Sequence, residues 1–363
     1  MLIICLLSIL TLFYGAYCVF GFLFGKKIYY KIDDTYLPRV SLVIPTYNEE
    51  KTIKKKIQNL INLSYPQEKL EVIFVDSSTD KTRETIKEFS EESTLNIILI
   101  EENERRGLAS ALNVGYATAS GEIVIKTDCD MLLERSFVER IVKYFSEPNI
   151  GAVSGAIKVS SPSNHEIGYR TIFEKLRIAE ANLDSTYLFN GFAFRRSLLE
   201  HIDERSVADD AELALKIRKK GYKTVYAPDA IIYEHSPVFI KDRVRIKSRR
   251  AQGYIRLMCQ NMDVLFNPRY GKFGLVIFPA NFFMVVISPW LMLLTFFLSF
   301  IYLYKLLGLF SLLLTFGFLA LILVVYTKSK PRIVAGFLDA QLNLIIGFLN
   351  LITKGPYFKW DKR

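Results

Sequence analysis

The stretch GEIVIKTDCDMLLE, from Gly121 to Glu134, joins a short apolar segment to two aspartates. The apolar residues predict a buried strand at 123–126, which ends just before Asp128 and Asp130. Because residues i and i+2 leaving a strand point to the same side, both carboxylates can face one cation. Mg²⁺ or Mn²⁺ is typically held by one or two carboxylates and completed by substrate phosphates and water. Aspartate is also favoured in turns, so the metal interpretation of this pair needs support from the rest of the chain.

Long hydrophobic segments identify this chain as a membrane protein. Hydrophobic residues make up 51% of its 363 positions and charged residues 23%, and the two kinds are segregated along the sequence. Segments 1–24, 273–304 and 306–326 carry no charge, and segment 333–352 carries only Asp339. Each has the roughly 20 apolar residues that span a bilayer core. We therefore predict an N-terminal transmembrane helix at 1–25 and about three transmembrane helices in a C-terminal region at 273–353.

Basic residues beside the first hydrophobic segment predict how the protein sits in the cell membrane. Lys26, Lys27, Lys31 and Arg39 follow that segment, and positive charge collects on the cytosolic side of membrane proteins. We expect a multi-pass protein whose N-terminus lies outside and whose main polar domain is cytosolic. The same rule would leave the basic tail after residue 353 outside, so the last segment is re-entrant, interfacial or an exception to the rule.

The overall charge and the cysteines give further limits. A net charge of +10 suits a protein that handles phosphorylated substrates on an anionic membrane surface. Since no nucleic-acid motif accompanies this charge, we predict no nucleic-acid partner. Cys5, Cys18, Cys129 and Cys259 form no CxxC pair and no metal-binding spacing, so a reduced, cytosolic domain is expected.

Between the hydrophobic segments, strand and helix patterns alternate. Apolar strand patterns at 41–45, 71–75, 96–100 and 123–126 predict an α/β fold with a Rossmann-like mixed sheet. Polar segments follow three of them, TYNEE after Pro45, DSSTD from Asp76 and TDCD from Thr127, where such sheets bind ligands. No GxGxxG or GxxxxGK(S/T) pattern explains a phosphate site. We place this domain at 38–237, followed by a basic amphipathic helix at 238–265 on the cytosolic membrane face.

The motifs IPTYNEE, VDSSTD, TDCD, NGFAFRR and ADDAELALKIRKKGY together resemble family 2 glycosyltransferases of the GT-A fold. The resemblance is to the membrane-embedded branch that includes cellulose, hyaluronan and chitin-oligosaccharide synthases, and it covers about 40–256. It implies that Asp128 and Asp130 bind Mg²⁺ or Mn²⁺ and that Asp128 also contacts the donor. It also implies a nucleoside site made by a set of residues at the ends of the first two strands, namely Pro45, Thr46, Tyr47, Glu49 and Asp76.

The same resemblance implies a catalytic base and an acceptor side. Asp210 matches the base that takes the proton from the acceptor hydroxyl, and Asp209, Gly191 and Phe192 lie on the acceptor side. The alternative is that Asp209 and Asp210 only cap the helix that they open, since aspartate is favoured at helix N-termini.

Two positions depart from the family pattern. Leu108 replaces the lysine of the family's Gly-Lys-Ala, and IKSRRAQG replaces the Gln-Arg-x-Arg-Trp motif of processive synthases. Arg249 matches the last arginine of that motif and is expected to hold the diphosphate. Arg250 replaces the tryptophan that borders the acceptor, which argues against long-chain processivity and leaves surface or lipid contact as an alternative for Arg250.

We therefore expect an inverting, metal-dependent glycosyltransferase in the membrane. Its partners would be the lipid bilayer, a nucleotide-sugar donor and a membrane-associated glycan or lipid-linked acceptor with a free hydroxyl. We expect the donor to be UDP-linked. Three alternatives stay open: a polyprenyl-phosphate glycosyltransferase, a processive polysaccharide synthase and an inactive sugar-nucleotide-binding component of a membrane complex.

Overall fold

The computed structural model describes residues 1–26, 30, 32–159, 164–189, 191–234, 240–317 and 332–355. Residues 318–326 of the predicted membrane segment at 306–326, and residues 327–331 after it, lie outside the described residues. The strands are β1 (Val40–Thr46), β2 (Leu70–Asp76), β3 (Asn96–Glu101), β4 (Ile123–Lys126), β5 (Leu132–Leu133), β6 (Ile150–Val159), β7 (Phe192–Arg195) and β8 (Lys223–Glu234). The helices are α1 (Leu2–Phe24), α2 (Ile53–Ile61), α3 (Thr82–Glu92), α4 (Leu108–Thr118), α5 (Phe137–Lys143), α6 (Asn164–Leu183), α7 (Asp209–Lys219), α8 (Ile240–Gln260), α9 (Phe273–Leu307) and α10 (Arg332–Lys354).

The strands form one eight-stranded mixed sheet in the order β3-β2-β1-β4-β7-β6-β8-β5. Strands β1 to β4 run parallel to their neighbours in this set, whereas β7 runs antiparallel to both β4 and β6. Thr46 lies beside Asp76 in the register, and Val43 lies beside Lys126. The predicted polar segments therefore leave adjacent strands at the same edge of the sheet, and the predicted α/β fold is confirmed.

Alternate residues of the central strands pack on opposite faces of the sheet, as the period of a strand requires. Leu42 of β1 shares an apolar cluster with Ile57 of α2, while its neighbour Val43 shares a second cluster with Leu112 of α4. Each large side chain that is fully buried stabilises the fold by about 1.5–3 kcal/mol. The layers hold the sheet edge rigid beneath the loops that carry the polar segments.

Helix α2 begins at Ile53, after a turn at 50–52. Before it, the backbone N–H groups of 48–50 donate to side chains at the end of the loop after β2, namely Ser78, Thr82 and Asp80. The N–H groups at a helix start have no partner within the helix, so side chains of another segment can satisfy them. These bonds tie the loops after β1 and β2 together.

Among the described residues, three helices are long and apolar enough to cross a membrane: Leu2–Phe24, Phe273–Leu307 and Gly336–Thr353. The first agrees with the predicted N-terminal helix, and the other two agree with predicted segments of the C-terminal region. For the remaining predicted segment, the structure describes a helical stretch at 310–317. Helix α8 lies within the range predicted for the amphipathic helix.

A buried ion pair in α6 joins the sheet domain to two of the apolar helices. Glu180 is 1% exposed, and its Oε2 accepts a hydrogen bond from Arg177 Nη1 at 2.9 Å. Its Oε1 accepts from the Tyr17 hydroxyl of α1 and from Asn281 Nδ2 of α9, the latter at 2.8 Å. Since a buried carboxylate is tolerated when it is paired and hydrogen-bonded, these contacts fix α6 against both helices.

Candidate active site

The carboxylate of Asp76 lies at the end of β2 and is fully buried. Its Oδ1 accepts hydrogen bonds from Thr46 Oγ1 at 2.7 Å and Ser78 Oγ at 2.6 Å. Its Oδ2 accepts from Ser78 N at 3.1 Å and from Arg83 Nε at 3.1 Å. Thr46 and Asp76, both predicted for the nucleoside site, are thus brought together. Arg83 was missed because nothing in its local sequence shows that its side chain turns back toward β2.

The remaining residues predicted for the nucleoside lie in the adjacent loop after β1. The Arg105 guanidinium lies 3.8 Å from the ring centroid of Tyr47, a distance at which a cation and an aromatic ring attract each other. Glu49 accepts a hydrogen bond from Thr52 Oγ1 at 2.5 Å, while Pro45 is half-buried at the end of β1. Arg105 was not among the predicted site residues, and the structure brings it to the Tyr47 ring.

The predicted metal pair follows β4, as expected. Asp128 is partly exposed, and its Oδ1 lies 2.8 Å from the Nζ of Lys126, whose side chain is 1% exposed. Burial alone would raise the pKa of Asp128, but the adjacent ammonium holds it below its usual range. The pKa of Asp130 is raised to about 6 by partial loss of solvent around the carboxyl and by the negative charges of Asp128 and Glu234. The side chain itself is still exposed.

A buried lysine supports the loop that carries this pair. Lys56 of α2 is fully buried, and its Nζ donates to the Met131 carbonyl oxygen at 2.6 Å and to Thr127 Oγ1 at 3.0 Å. Burial lowers the pKa of Lys56 to about 8, while nearby acidic groups, Asp128 and Asp130 among them, oppose the change. The ammonium thus fixes both ends of the loop and attracts its carboxylates.

These residues fit a divalent cation. The donors are hard oxygens, and the repulsion that raises the pKa of Asp130 is what a dication between the two carboxylates would relieve. Within the described ranges, no three His, Cys, Asp or Glu side chains converge on one point. Two carboxylates of this kind can hold such an ion when substrate phosphates and water complete its shell.

Asp209 and Asp210 open helix α7, whose N-cap residue is Ala208. Capping by either aspartate is therefore not what starts this helix, although Ala211 N donates to Asp210 Oδ1 at 2.8 Å. Asp209 is 7% exposed, and its Oδ2 has no hydrogen-bond partner among the described residues. Burial and the negative charge of Asp209 raise the pKa of Asp210 to about 7, against the opposing positive charge of Lys126.

The buried ammonium of Lys126 interacts electrostatically with carboxylates of both pairs, Asp128 of the first and Asp209 and Asp210 of the second. Burial would lower its pKa, but Asp128, Asp209 and Asp210 outweigh that effect and raise it. Tyr116 of α4 is 1% exposed, and burial followed by the charges of the same carboxylates raises its pKa well above the usual value. Sequence reasoning missed both residues, although a lysine inside an otherwise apolar strand was a signal for the first.

The two predicted arginines of α8 approach the same acidic groups. Arg250 lies 3.4 Å from Glu234 Oε1 at the end of β8, and the charges of Asp210 and Asp128 also act on it. The positive charge of Arg249 lowers the pKa of Asp209, although burial dominates and leaves that pKa raised. Arg250, for which surface or lipid contact was the alternative, thus lies within the electrostatic reach of the site.

The predicted acceptor-side residues Gly191 and Phe192 differ in what they can contact. Gly191 has φ +73°, and a Cβ there would lie 1.8 Å from Ile232 Cδ1, so glycine is required. Phe192 is fully buried in the apolar cluster that contains Phe194. Its side chain faces the core, and its backbone lies between Lys126 of β4 and Ser154 of β6 in the sheet. Asn190, part of the same motif, lies outside the described residues.

Comparison with known families agrees with this geometry. The model named Glycosyl transferase family 2 matches residues 41–203, and the one named Glycosyl transferase family group 2 matches residues 123–328, more than half of the chain. The chain belongs to the family 2 glycosyltransferases. The matched residues include both carboxylate pairs and the arginines of α8.

Comparison with individual proteins agrees with this assignment. The protein is 32% identical over 232 residues to "Probable glycosyltransferase YdaM" of Bacillus subtilis, covering 60% of this chain and 55% of the relative. It is 25% identical over 241 residues to the poly-beta-1,6-N-acetyl-D-glucosamine synthase of Staphylococcus epidermidis, covering 63% and 58% respectively. The chain thus spans little more than half of the length of these two relatives.

One solved structure is similar over almost the whole chain. It is the mannosyltransferase PcManGT from Pyrobaculum calidifontis in complex with GDP-Man and Mn²⁺, with a TM-score of 0.82 and 29% sequence identity. The similarity covers 98% of this chain and 99% of the other. The predicted GT-A fold with added membrane helices is confirmed by this match.

Proposed function

We propose that this family 2 glycosyltransferase moves a sugar from a nucleotide-sugar to a hydroxyl group of a membrane-associated glycan or glycolipid, with inversion at the anomeric carbon. The observation that carries the proposal is the arrangement of two carboxylate pairs around the buried Lys126. Asp128 and Asp130 suit a cation and a diphosphate, whereas Asp209 and Asp210 suit the acceptor.

Asp210 would be the catalytic base. A sugar hydroxyl is a weak nucleophile until its proton is removed, and a base is most effective when its pKa is near the working pH. The pKa of about 7, raised by burial and by Asp209, meets this requirement. As the proton moves to Asp210, the acceptor oxygen forms a bond to the anomeric carbon, and the bond from that carbon to the diphosphate breaks.

The leaving nucleoside diphosphate keeps the electron pair of the broken bond and needs positive charge around it. Asp128 and Asp130 would hold Mg²⁺ or Mn²⁺, which neutralises charge on the leaving group when bound. Two observations support this assignment: the hard-oxygen donors of the pair and the Mn²⁺ in the structure of the mannosyltransferase neighbour. Arg249 and Arg250 would add fixed positive charge to the diphosphate.

The nucleoside would lie at the ends of β1 and β2. Pro45, Thr46, Tyr47, Glu49 and Asp76 are the residues we assign to it. The donor is expected to be UDP-linked from the sequence, whereas the mannosyltransferase neighbour holds GDP-Man, so both nucleotides belong in the test. We also propose that the protein is a multi-pass cell-membrane protein with this site on the cytosolic side.

The test follows nucleotide release from UDP-sugars and GDP-sugars by the purified full chain with Mn²⁺ and a membrane lipid extract as the acceptor source. The parent is compared with Asp210→Asn and with Glu88→Gln, a control on the exposed surface of α3. We expect Asp210→Asn to lose about 10²- to 10⁴-fold in rate and the control to match the parent.

Transfer by Asp210→Asn within a few-fold of the parent would contradict the base assignment. A polyprenyl-phosphate acceptor, which needs no deprotonation, would then explain the activity better. Absence of release from every donor would contradict the transfer reaction itself.

A further inference from the structure

Helix α10 carries a carboxylate within an otherwise apolar segment. Asp339 is 6% exposed, and its Oδ2 lies 2.6 Å from the Nζ of Lys247 on α8. Asn343, one turn later, donates from Nδ2 to the Asp339 backbone carbonyl at 2.7 Å. A carboxylate in such a helix is costly unless it is paired, so this ion pair defines where α10 meets α8.

The two helices also meet at backbone distance beside the ion pair. A Cβ added to Gly347 would lie 2.8 Å from the Ser248 carbonyl oxygen and 2.9 Å from the Gln252 nitrogen. Gln252 Nε2 donates to the Gly355 carbonyl oxygen at 2.6 Å. Contacts that begin at Asp339 and extend to Gly355 thus hold one short part of α8.

That part of α8 carries the two arginines of the candidate active site. Lys247 and Arg249 point to nearly opposite sides of the helix, because two residues turn an α-helix by about 200°. Arg250 pairs, at a distance of 3.4 Å, with Glu234 at the end of β8. The charge of Glu234 also acts on Asp130. One side of α8 is therefore held by α10, and another presents arginines to the carboxylates.

We infer that Asp339 is a positioning residue for the active site, which acts through Lys247 to hold α8 where Arg249 and Arg250 meet the donor diphosphate. The inference rests on the proposed function, because that function assigns these arginines to the donor. A contact of this kind controls donor affinity, because its loss lets α8 shift while the carboxylates after β4 and at the start of α7 keep their places.

The experiment titrates UDP and GDP, with Mn²⁺, into the purified full chain in detergent and records the thermal midpoint of each variant. The variants are Asp339→Asn, Lys247→Gln, and the exchanged pair Asp339→Lys with Lys247→Asp. Arg245→Ala is the matched control, because it removes one charge from an exposed position of α8. Arg245 forms an ion pair with Asp242 of the same helix, at 3.4 Å.

We expect each single variant to bind nucleotide about ten-fold more weakly than the parent. Lys247→Gln should also lower the thermal midpoint, because it removes the ammonium beside the buried Asp339 carboxylate. In turnover assays, the donor KM should rise while kcat at saturating donor stays near the parent value. The exchanged pair should recover most of the affinity, and the control should bind like the parent. If the exchanged pair does not fold, Lys247→Gln still tests the contact, because it changes the more exposed of the two partners.

Unchanged nucleotide affinity in both single variants would overturn the inference. A lower thermal midpoint with unchanged affinity would also overturn it, because the ion pair would then serve stability alone. A parent that binds neither nucleotide refutes the proposed function and the inference with it. A parent that binds nucleotide, with variants that bind equally well, refutes the inference and leaves the proposed function standing.

Discussion

Replacement of Asp210 by asparagine should remove activity and stabilise the protein at the same time. Burial and the charge of Asp209 raise the pKa of Asp210 from 3.8 to about 7. The folded state therefore favours the protonated carboxyl, and the stability gained from that form is complete below about pH 4. It is lost as the pH rises through about 7, where the parent must hold an ionised carboxylate beside Asp209.

The difference between 3.8 and about 7 corresponds to about 4 kcal/mol, because one pKa unit is worth about 1.4 kcal/mol. This is an upper value, since Asp210 is partly exposed and solvent screens its charge. The ionised carboxylate also gains about 0.3–1 kcal/mol at the N-terminus of α7, which asparagine forgoes. Asparagine should therefore stabilise the protein by about 1–3 kcal/mol above pH 8 and by almost nothing at pH 4.

Thermal unfolding of the parent and Asp210→Asn in detergent, at pH 4 and pH 8.5, measures this difference. Each kcal/mol should move the midpoint by about 2–4 °C in a domain of this size. Glu88→Gln, which changes the same charge on the exposed surface of α3, should shift neither midpoint. An asparagine variant less stable than the parent at pH 8.5 would refute the reasoning, because the carboxylate would then be stabilised by its surroundings.

Three other variants test the metal assignment, the supporting lysine and the membrane orientation. Asp130→Asn should abolish transfer and weaken Mn²⁺-dependent nucleotide binding, and equal affinity in UDP and GDP titrations would remove the metal assignment. Lys56→Met should lower the free energy of unfolding by about 1–3 kcal/mol, because it leaves the Met131 carbonyl without its hydrogen-bond donor. A thermal midpoint equal to that of the parent would contradict this role. A cysteine at the exposed Lys51, without the other exposed cysteines, should react with an impermeant reagent only after cells are permeabilised, and reaction in intact cells would reverse the proposed orientation.

Local sequence was sufficient for the strands and for the carboxylates at their ends. The apolar run before Asp128 predicts a buried strand, and the position of Asp76 after an earlier apolar run predicts that both lie at one sheet edge. These features depend on side-chain period and on the rule for ligands in α/β sheets, which are both local patterns. Asp210 was found through motif order, because its distance from β4 in sequence hides their proximity.

The supporting cations could not be predicted in this way. Lys56 lies on an amphipathic helix where lysine usually points to solvent, and only the packing of α2 on the sheet buries its ammonium. Arg83 and Arg105 reach the site across loops whose paths the sequence does not define. The bonds from the N–H groups before α2 to Ser78 and Thr82 have the same origin, since they join segments that are distant in sequence.

The ion pair of Arg177 and Glu180 couples the sheet domain to the apolar helices. Tyr17 and Asn281 belong to opposite ends of the chain, yet both donate to one carboxylate oxygen of α6. A fragment cut at 38–237 would lose both donors and expose to water the apolar surface of α6, such as Leu176, that packs on α1 and α9. We expect this fragment to be less stable than the full chain, because the apolar helices form part of the folded unit rather than a separate anchor.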